Sequence, residues 1–264
     1  MYKIFLALIF SLTVLISKAG IEVVNRSNTY AIVVGISDYQ DLFDLQYADS
    51  DAERFAAYLS DSLGGEVKTE NIMLLRNSDA TKQNLLKSFQ LIIQKIRKGD
   101  RFIFYFAGLS DYTESKEAAM YLFDSQINQP LTYIEWGYIS KVMENIKSKE
   151  CDVIFFWDSN SMEVQINTFS DINHSTSIFY ASQINEFAME GPQYGGGLFT
   201  SVLLRGLYGE ADVDKDFLVT AKELNFFVEI EVRQLSEDRQ TPEFYGDSWQ
   251  TIAKVHERSS TSTP

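Results

Sequence analysis

The feature of this chain that most constrains its fold is a series of short apolar runs without alternating polar residues. An apolar residue at every position is typical of a strand buried on both faces, as in a parallel sheet covered by helices. Five strands are predicted in this way, at residues 30–36, 71–75, 101–107, 153–157 and 176–181.

Amphipathic helical patterns lie between the apolar runs, with apolar residues three or four positions apart. The predicted helices are residues 49–63, a helix capped by Thr81, a helix starting with the capping-box spacing of Thr132 and Glu135, and residues 197–207 and 220–235. Strands joined by helices predict one α/β domain, at residues 20–258, with a mostly parallel sheet of about six strands and helices on both faces.

The first nineteen residues have the pattern of a secretory signal peptide. Lys3 is followed by the apolar residues 4–16 and by Ser17-Lys18-Ala19, a small-x-small cleavage site. The loss of this segment predicts a secreted or periplasmic protein. The alternative is an uncleaved membrane anchor, for which thirteen apolar residues are short. The tail at residues 259–264 is predicted to be disordered.

Composition excludes several classes of function. The formal net charge of −14 disfavours binding to nucleic acid or to an anionic membrane surface. Cys151 is the single cysteine, so an intrachain disulfide and a thiolate metal cluster are both excluded. With two histidines, His174 and His256, the chain has few side chains for acid–base chemistry at neutral pH.

Two of the predicted strands end in small polar residues. The third strand leads into Gly108-Leu109-Ser110, and the fourth leads into Asp158-Ser159-Asn160. Ligands of α/β sheets gather beyond the carboxyl ends of the strands, so a site is predicted at these two loops. Neither Leu109 nor Asn160 has a side chain that can attack a substrate or transfer a proton.

Four blocks of sequence follow one another in the order of a known protein family. They are YAIVVGISDYQDLFDLQYADSDAERFAAYL from Tyr30, NIMLLRNSDATKQNL from Asn71, GGGLFTSVLLRGLYGEADVDKDFLVTAKEL from Gly195, and Gln240-Thr241-Pro242. Across residues 29–246 the chain resembles the caspase-type cysteine peptidases of the metacaspase-like, bacterial kind. The resemblance implies a caspase-like three-layer sandwich, in which the sheet lies between two layers of helices.

The resemblance fails at the catalytic dyad of the family. Active members carry Gly-His-Gly after the third strand and Asp-x-Cys-x-Ser-Gly after the fourth. In this chain Leu109 stands at the histidine position and Asn160 stands at the cysteine position. A cysteine peptidase needs a thiolate and an imidazole that activates it, and these two positions supply neither.

Neighbouring residues offer an improvised site in place of the dyad. Ser159 and Ser161 flank Asn160, and His174 follows in the same predicted loop. A serine hydrolase that uses this histidine as its base is therefore one alternative function. Cys151 precedes the fourth strand, so it is predicted to lie at the opposite edge of the sheet as a half-buried structural residue.

The resemblance also implies an acidic pocket. In metacaspase-like members, an aspartate at the start of the first helix and another two residues before the nucleophile hold an Arg or Lys side chain. These positions are Asp51 and Asp158 in this chain. The alternative is structural, with Asp51 as a helix cap and Asp158 as a hydrogen-bonding residue at the end of a strand.

An acidic stretch has the ligand spacing of positions 1, 3, 5 and 12 of an EF-hand calcium loop, at Asp212, Asp214, Asp216 and Glu223. Phe217 stands where this pattern uses glycine for a left-handed turn, at a cost of roughly 1 kcal/mol. Thr220 and Glu223 also have capping-box spacing, so the competing interpretation is an acidic turn before a capped helix. Calcium is the only cofactor predicted, as the alternative to none.

The function predicted from the sequence is a secreted, catalytically inactive caspase homologue that acts by binding or by regulating active relatives. Its expected partners are a protein or peptide ligand with Arg or Lys, or an active caspase-like relative. Nucleic acid is excluded as a partner, as is a membrane once the signal is removed. The alternatives from other classes are the serine hydrolase and a calcium-dependent adhesion or sensing module.

Overall fold

The computed structural model describes residues 27–114, 116–159 and 176–256. Its α-helices are α1 (Ala48–Ser60), α2 (Lys82–Lys95), α3 (Trp136–Lys147), α4 (Leu198–Arg205) and α5 (Ala221–Ser236). Its strands are β1 (Thr29–Gly35), β2 (Ile72–Arg76), β3 (Arg101–Ala107), β4 (Ser110–Tyr112), β5 (Ala118–Met120), β6 (Ile134–Glu135), β7 (Asp152–Asp158), β8 (Thr176–Tyr180), β9 (Glu190–Gly191), β10 (Gly196–Gly197), β11 (Leu218–Thr220), β12 (Glu243–Gly246) and β13 (Thr251–Lys254).

Six of these strands form the main sheet, in the order β12-β8-β7-β3-β1-β2. All pair in parallel except β12, which runs antiparallel to β8 at the edge. Each of the five predicted strands agrees with an observed one to within a residue at either end. The sixth, β12, has half-buried side chains rather than a long apolar run, because an edge strand is covered less completely.

Helices cover both faces of this sheet, as predicted. One face packs against α2 and α3, and the other packs against α1, α4 and α5. Neighbouring residues of β3 show the division: Phe104 stacks on Phe89 of α2 with ring centroids 5.5 Å apart, and Tyr105 stacks on Phe55 of α1 at 4.4 Å. Successive side chains of a strand point to opposite faces, so a strand covered on both sides is apolar throughout.

Of the three threonines predicted to cap helices, two are confirmed as caps and the third is not a cap. The hydroxyl of Thr81 accepts from the amide of Asn84, and Thr220 and Glu223 form both bonds of a capping box. Thr132, by contrast, lies four residues before α3. Its Oγ1 accepts from Gln126 N and donates to backbone carbonyls of the preceding loop, so it closes a turn instead. The spacing of Thr132 and Glu135 matches a capping box, but the hydroxyl of Thr132 bonds to the backbone of the preceding loop instead of the helix.

The carboxyl ends of the three central strands lie side by side. Gly35 of β1 pairs with Ala107 of β3, and Ala107 pairs with Asp158 of β7. The loops that follow these strands therefore begin at one edge of the sheet, which is where the sequence predicts a site.

Several predictions fall outside the described residues. They are the signal segment at residues 1–19, the disordered tail at 259–264, and the positions of Asn160, Ser161 and His174. Within the part of the chain that the structure describes, no helix combines the length and apolar character needed to cross a membrane.

Candidate ligand pocket

A pocket of about 170 Å³ lies at the carboxyl edge of the central strands. It is bordered by the loop that follows β1, by the start of α1, by the loop after β3, by the end of β7 and by the segment that contains β9 and β10. Its lining residues include Phe43, Leu45, Ala48, Asp51, Ala107, Gly108, Leu109, Asp158, Ser159, Phe187, Met189, Glu190 and Gly197.

Asp51 lies in the first turn of α1 and is almost fully buried. Its Oδ2 accepts a hydrogen bond of 2.7 Å from the backbone amide of Gly197, and its Oδ1 forms an ion pair of 2.5 Å with Arg54. Burial raises the pKa of this carboxyl, and the neighbouring guanidinium opposes that shift. Asp51 does not cap α1, whose N-cap residue is Tyr47. The carboxylate instead joins α1 to the segment before α4.

Asp158 is the last residue of β7 and is also buried. The hydroxyl of Thr200 donates to Asp158 Oδ2 at 2.6 Å, and the same hydroxyl lies 2.6 Å from the phenol oxygen of Tyr105. Burial, together with the charge of Asp51, raises the pKa of Asp158 to about 7. The carboxyl therefore changes its charge near neutral pH.

The two predicted pocket acids meet at Gly197. A Cβ atom built on this glycine would lie 2.5 Å from Asp51 Oδ2 and 3.0 Å from Asp158 Oδ2. Both distances are shorter than van der Waals contact, so any larger residue here would require the carboxylates to move. The structure thus brings together two aspartates that are far apart in the sequence, at the point where the central strands end.

A third acid at the pocket, Glu190, was missed in the sequence. Its carboxylate accepts hydrogen bonds from the amides of Gln46 and Tyr47, at 2.9 and 3.0 Å, just before α1 begins. Its charge contributes to the raised pKa of both Asp51 and Asp158. Gln46 lies 144 residues away in the sequence, so no local pattern could have indicated the contact.

The pocket wall also contains Leu109, which stands at the histidine position of the predicted dyad and has no side chain that can transfer a proton. Its side chain is buried, and its amide donates to the phenol oxygen of Tyr39 at 2.7 Å. Ser159 is buried beside it, with its hydroxyl 2.6 Å from that of Ser110. Asn160, Ser161 and His174, which complete the two catalytic hypotheses, lie outside the described residues.

The single cysteine lies just before β7, at the amino end of the strand, opposite the pocket. The Sγ atom of Cys151 donates to the carbonyl of Arg97 at 3.0 Å, and burial raises the pKa of the thiol. The sequence prediction of a structural residue at the far edge holds, although Cys151 is buried rather than half-buried. His256 pairs with Glu66 at 3.6 Å and does not line the pocket.

The predicted calcium loop lies between α4 and α5. Carboxylate oxygens of Asp212, Asp214 and Asp216 lie within 4.8 Å of one another. Phe217 adopts the left-handed conformation that the pattern requires, with φ of 68°, and its amide donates to Asp212 Oδ2 at 3.1 Å. The other oxygen of Asp212 is buried and has no hydrogen-bond partner among the described residues.

Glu223, the fourth predicted ligand, does not belong to this cluster. Burial favours a higher pKa for its carboxyl, but hydrogen bonds from Thr220 and from the amides of Val213 and Asp214 outweigh burial and lower the pKa. Its carboxylate thus completes the capping box of α5 and also accepts from the backbone of the acidic loop. Glu223 is therefore a helix-capping residue that lies against the predicted calcium loop.

Comparison with known proteins shows the fold. No family model and no curated protein matches the chain. Among solved structures, protein GSU0716 from Geobacter sulfurreducens superposes with a TM-score of 0.62 at 16% identity, over 87% of this chain and all of the other. Caspase-1 from Spodoptera frugiperda superposes with a TM-score of 0.58 at 12% identity, over 88% of this chain and 92% of the other. The prediction of a caspase-like three-layer sandwich is confirmed.

Proposed function

We propose that this caspase-fold protein is a binding protein without peptidase activity, whose pocket takes an Arg or Lys side chain of a protein or peptide ligand. The observation that carries the proposal is the convergence of Asp51 and Asp158 on Gly197 at the base of the pocket. Two carboxylates buried side by side disfavour each other's ionisation, and a cation bound beside them in the pocket offsets that cost.

The charges around the pocket support a cationic ligand. Arg54 already pairs with one oxygen of Asp51, which leaves Asp158 and Glu190 as acids that no basic side chain neutralises in the ion pairs of the described residues. A bound guanidinium or ammonium group would favour the ionised form of Asp158, since opposite charges lower the pKa of an acid.

The absence of chemistry at Leu109 supports a binding role rather than cleavage. On the family resemblance, Leu109 and Asn160 stand at the dyad positions, and neither leucine nor an amide can activate or perform a nucleophilic attack. The hydroxyl of Ser159 lies against that of Ser110, and a hydroxyl is not a base, so a serine site would need His174 to activate it. We further propose that active caspase-like relatives are among the ligands, and that the protein acts outside the cytoplasm after removal of residues 1–19.

The expected result is binding of arginine peptides without their hydrolysis. Fluorescence polarisation should show that Asp158→Asn weakens binding of a labelled arginine peptide at least tenfold, because the amide cannot carry the charge. Binding by the wild type should strengthen from pH 6 to pH 8, as Asp158 loses its proton near pH 7. Chromatography of the same peptide after long incubation should show no cleavage.

A matched control is Asp79→Asn, which removes the same charge from an exposed residue away from the pocket. It should bind the peptide as the wild type does. Equal binding of the arginine peptide and its citrulline analogue would reject the proposal. Cleavage that is abolished by Ser159→Ala or Ser161→Ala would establish the serine hydrolase instead.

A calcium-dependent adhesion or sensing role is the second candidate, supported by the acidic cluster and by the buried oxygen of Asp212 that no described residue hydrogen-bonds. If the loop binds calcium, the melting temperature should rise by roughly 5 to 10 °C at a calcium concentration about a hundred times the Kd. Asp212→Asn should remove this rise, and Asp79→Asn should retain it. An unchanged melting temperature in millimolar calcium, measured by differential scanning calorimetry, would reject the candidate.

A further inference from the structure

Two exposed phenylalanines border the acidic pocket. Phe43 is 70% exposed and Phe187 is 73% exposed, although both line the pocket. They belong to different loops, the one between β1 and α1 and the one between β8 and β9, and we call them the aromatic rim. Large apolar side chains that converge on one pocket from separate loops are typical of an interaction surface, where aromatic residues supply much of the binding energy.

The loops of the aromatic rim are held in place by hydrogen bonds. Glu190 accepts from the amides of Gln46 and Tyr47, so its carboxylate ties the two loops together. The amide of Met189 donates to the side chain of the buried residue Gln240 at 2.8 Å, which anchors the second loop to the rest of the domain. A surface that is ordered before binding loses little conformational entropy when a ligand binds. The ordered loops therefore make the aromatic rim suited to binding.

The size of the pocket limits what can enter it. At about 170 Å³ it is smaller than the roughly 300–1,000 Å³ of sites that enclose a whole small molecule. A pocket of this size accepts a single side chain, and the remainder of the ligand must lie outside it. What lies immediately outside is the aromatic rim.

We propose that the ligand is an extended peptide segment in which the basic residue has a large apolar neighbour, and that this neighbour packs on Phe43 and Phe187. The inference rests on the proposed function, since the basic side chain in the pocket brings its neighbour onto the rim. Charge complementarity with the buried acids selects the basic residue, and the rim selects among basic segments by what flanks that residue.

Three labelled peptides test the inference by fluorescence polarisation: Gly-Gly-Arg-Gly-Gly, Gly-Leu-Arg-Leu-Gly, and the second peptide with citrulline in place of arginine. The leucine-flanked arginine peptide should bind about tenfold or more tightly than the glycine-flanked one. Phe43→Ser and Phe187→Ser should each reduce this advantage, measured as the ratio of the dissociation constants of the two arginine peptides. Phe226→Ser, at a residue that is 60% exposed on α5 and outside the pocket lining, is the control and should change neither.

The outcomes separate the two proposals. Equal binding of the two arginine peptides, or an advantage of leucine that survives both rim variants, overturns the inference and leaves the proposed function intact. If citrulline replaces arginine without loss while the rim variants remove the leucine advantage, the proposed function fails and the inference about the rim stands. Binding of none of the three peptides overturns both.

Discussion

A methyl group at Gly197 is expected to destabilise the fold and to eliminate the acidic pocket. The new Cβ would lie 2.5 Å from Asp51 Oδ2 and 3.0 Å from Asp158 Oδ2, so the carboxylates would have to move. Asp51 is fixed by the amide of Gly197 itself, and Asp158 is fixed by Thr200. We expect Gly197→Ala to lower the free energy of unfolding by about 1–3 kcal/mol, as overpacking of a core does.

The matched control for this variant is Gly137→Ala in α3. A Cβ at Gly137 meets nothing within 4 Å, and alanine favours a helix over glycine by about 0.5–1 kcal/mol. Urea unfolding should therefore show opposite signs for the two glycine substitutions, and Gly197→Ala alone should weaken binding of the arginine peptide. Equal stability of the two variants would contradict the packing of the carboxylates around Gly197.

The second large effect concerns Asp158 and pH. Because its pKa in the folded protein is raised from 3.8 to about 7, the folded state holds this proton more tightly than the unfolded state does. The stability that Asp158 contributes is fully present below its pKa in the unfolded state, and it is lost as the pH rises through its pKa in the folded state. Between pH 5 and pH 8 the loss should reach roughly 2 to 3 kcal/mol, at 1.36 kcal/mol for each unit of pKa difference.

Asp158→Asn should remove this loss, since the amide has no proton to release and its oxygen can still accept from Thr200. The measurement is the free energy of urea unfolding at pH 5 and at pH 8, compared between wild type and variant. Asp51 also has a raised pKa, so a smaller fall with pH should persist in Asp158→Asn. Asp79→Asn should show the same pH dependence as the wild type. If the free energy of unfolding of Asp158→Asn falls as steeply with pH as that of the wild type, another group must be responsible for the pH dependence.

Sequence patterns predicted the layers of this fold and the edge at which the pocket lies. Unbroken apolar runs indicate buried parallel strands. The sheet then determines where the residues that follow each strand lie, whatever their local conformational preference. That is why Asp158 and Leu109 could be assigned to one edge in advance. The placement of Asp51 came from the family resemblance instead.

The remaining features depend on contacts between distant segments. Glu190 and Thr200 have no signature of their own, because an ordinary charged or hydroxyl residue acquires a role only through the partners that folding gives it. The capping pattern at Thr132 failed for a local reason, since Gln126, six residues earlier in the same loop, bonds to its hydroxyl. The exposure of the aromatic rim could not be predicted from the sequence either, because the sequence does not show whether other segments cover an apolar residue in a loop.

The bond between Gly197 and Asp51 spans 146 residues of chain, and this separation has a consequence during synthesis. At about 5–20 residues per second, a ribosome needs roughly 7 to 30 s to produce the partner of Asp51 after Asp51 itself. Until then the two aspartates remain in water, and the electrostatic cost of burying them falls on the last steps of folding. The nascent chain can therefore arrange β1, β3 and β7 before Gly197 is made, whereas the capacity to recognise a ligand emerges only after it.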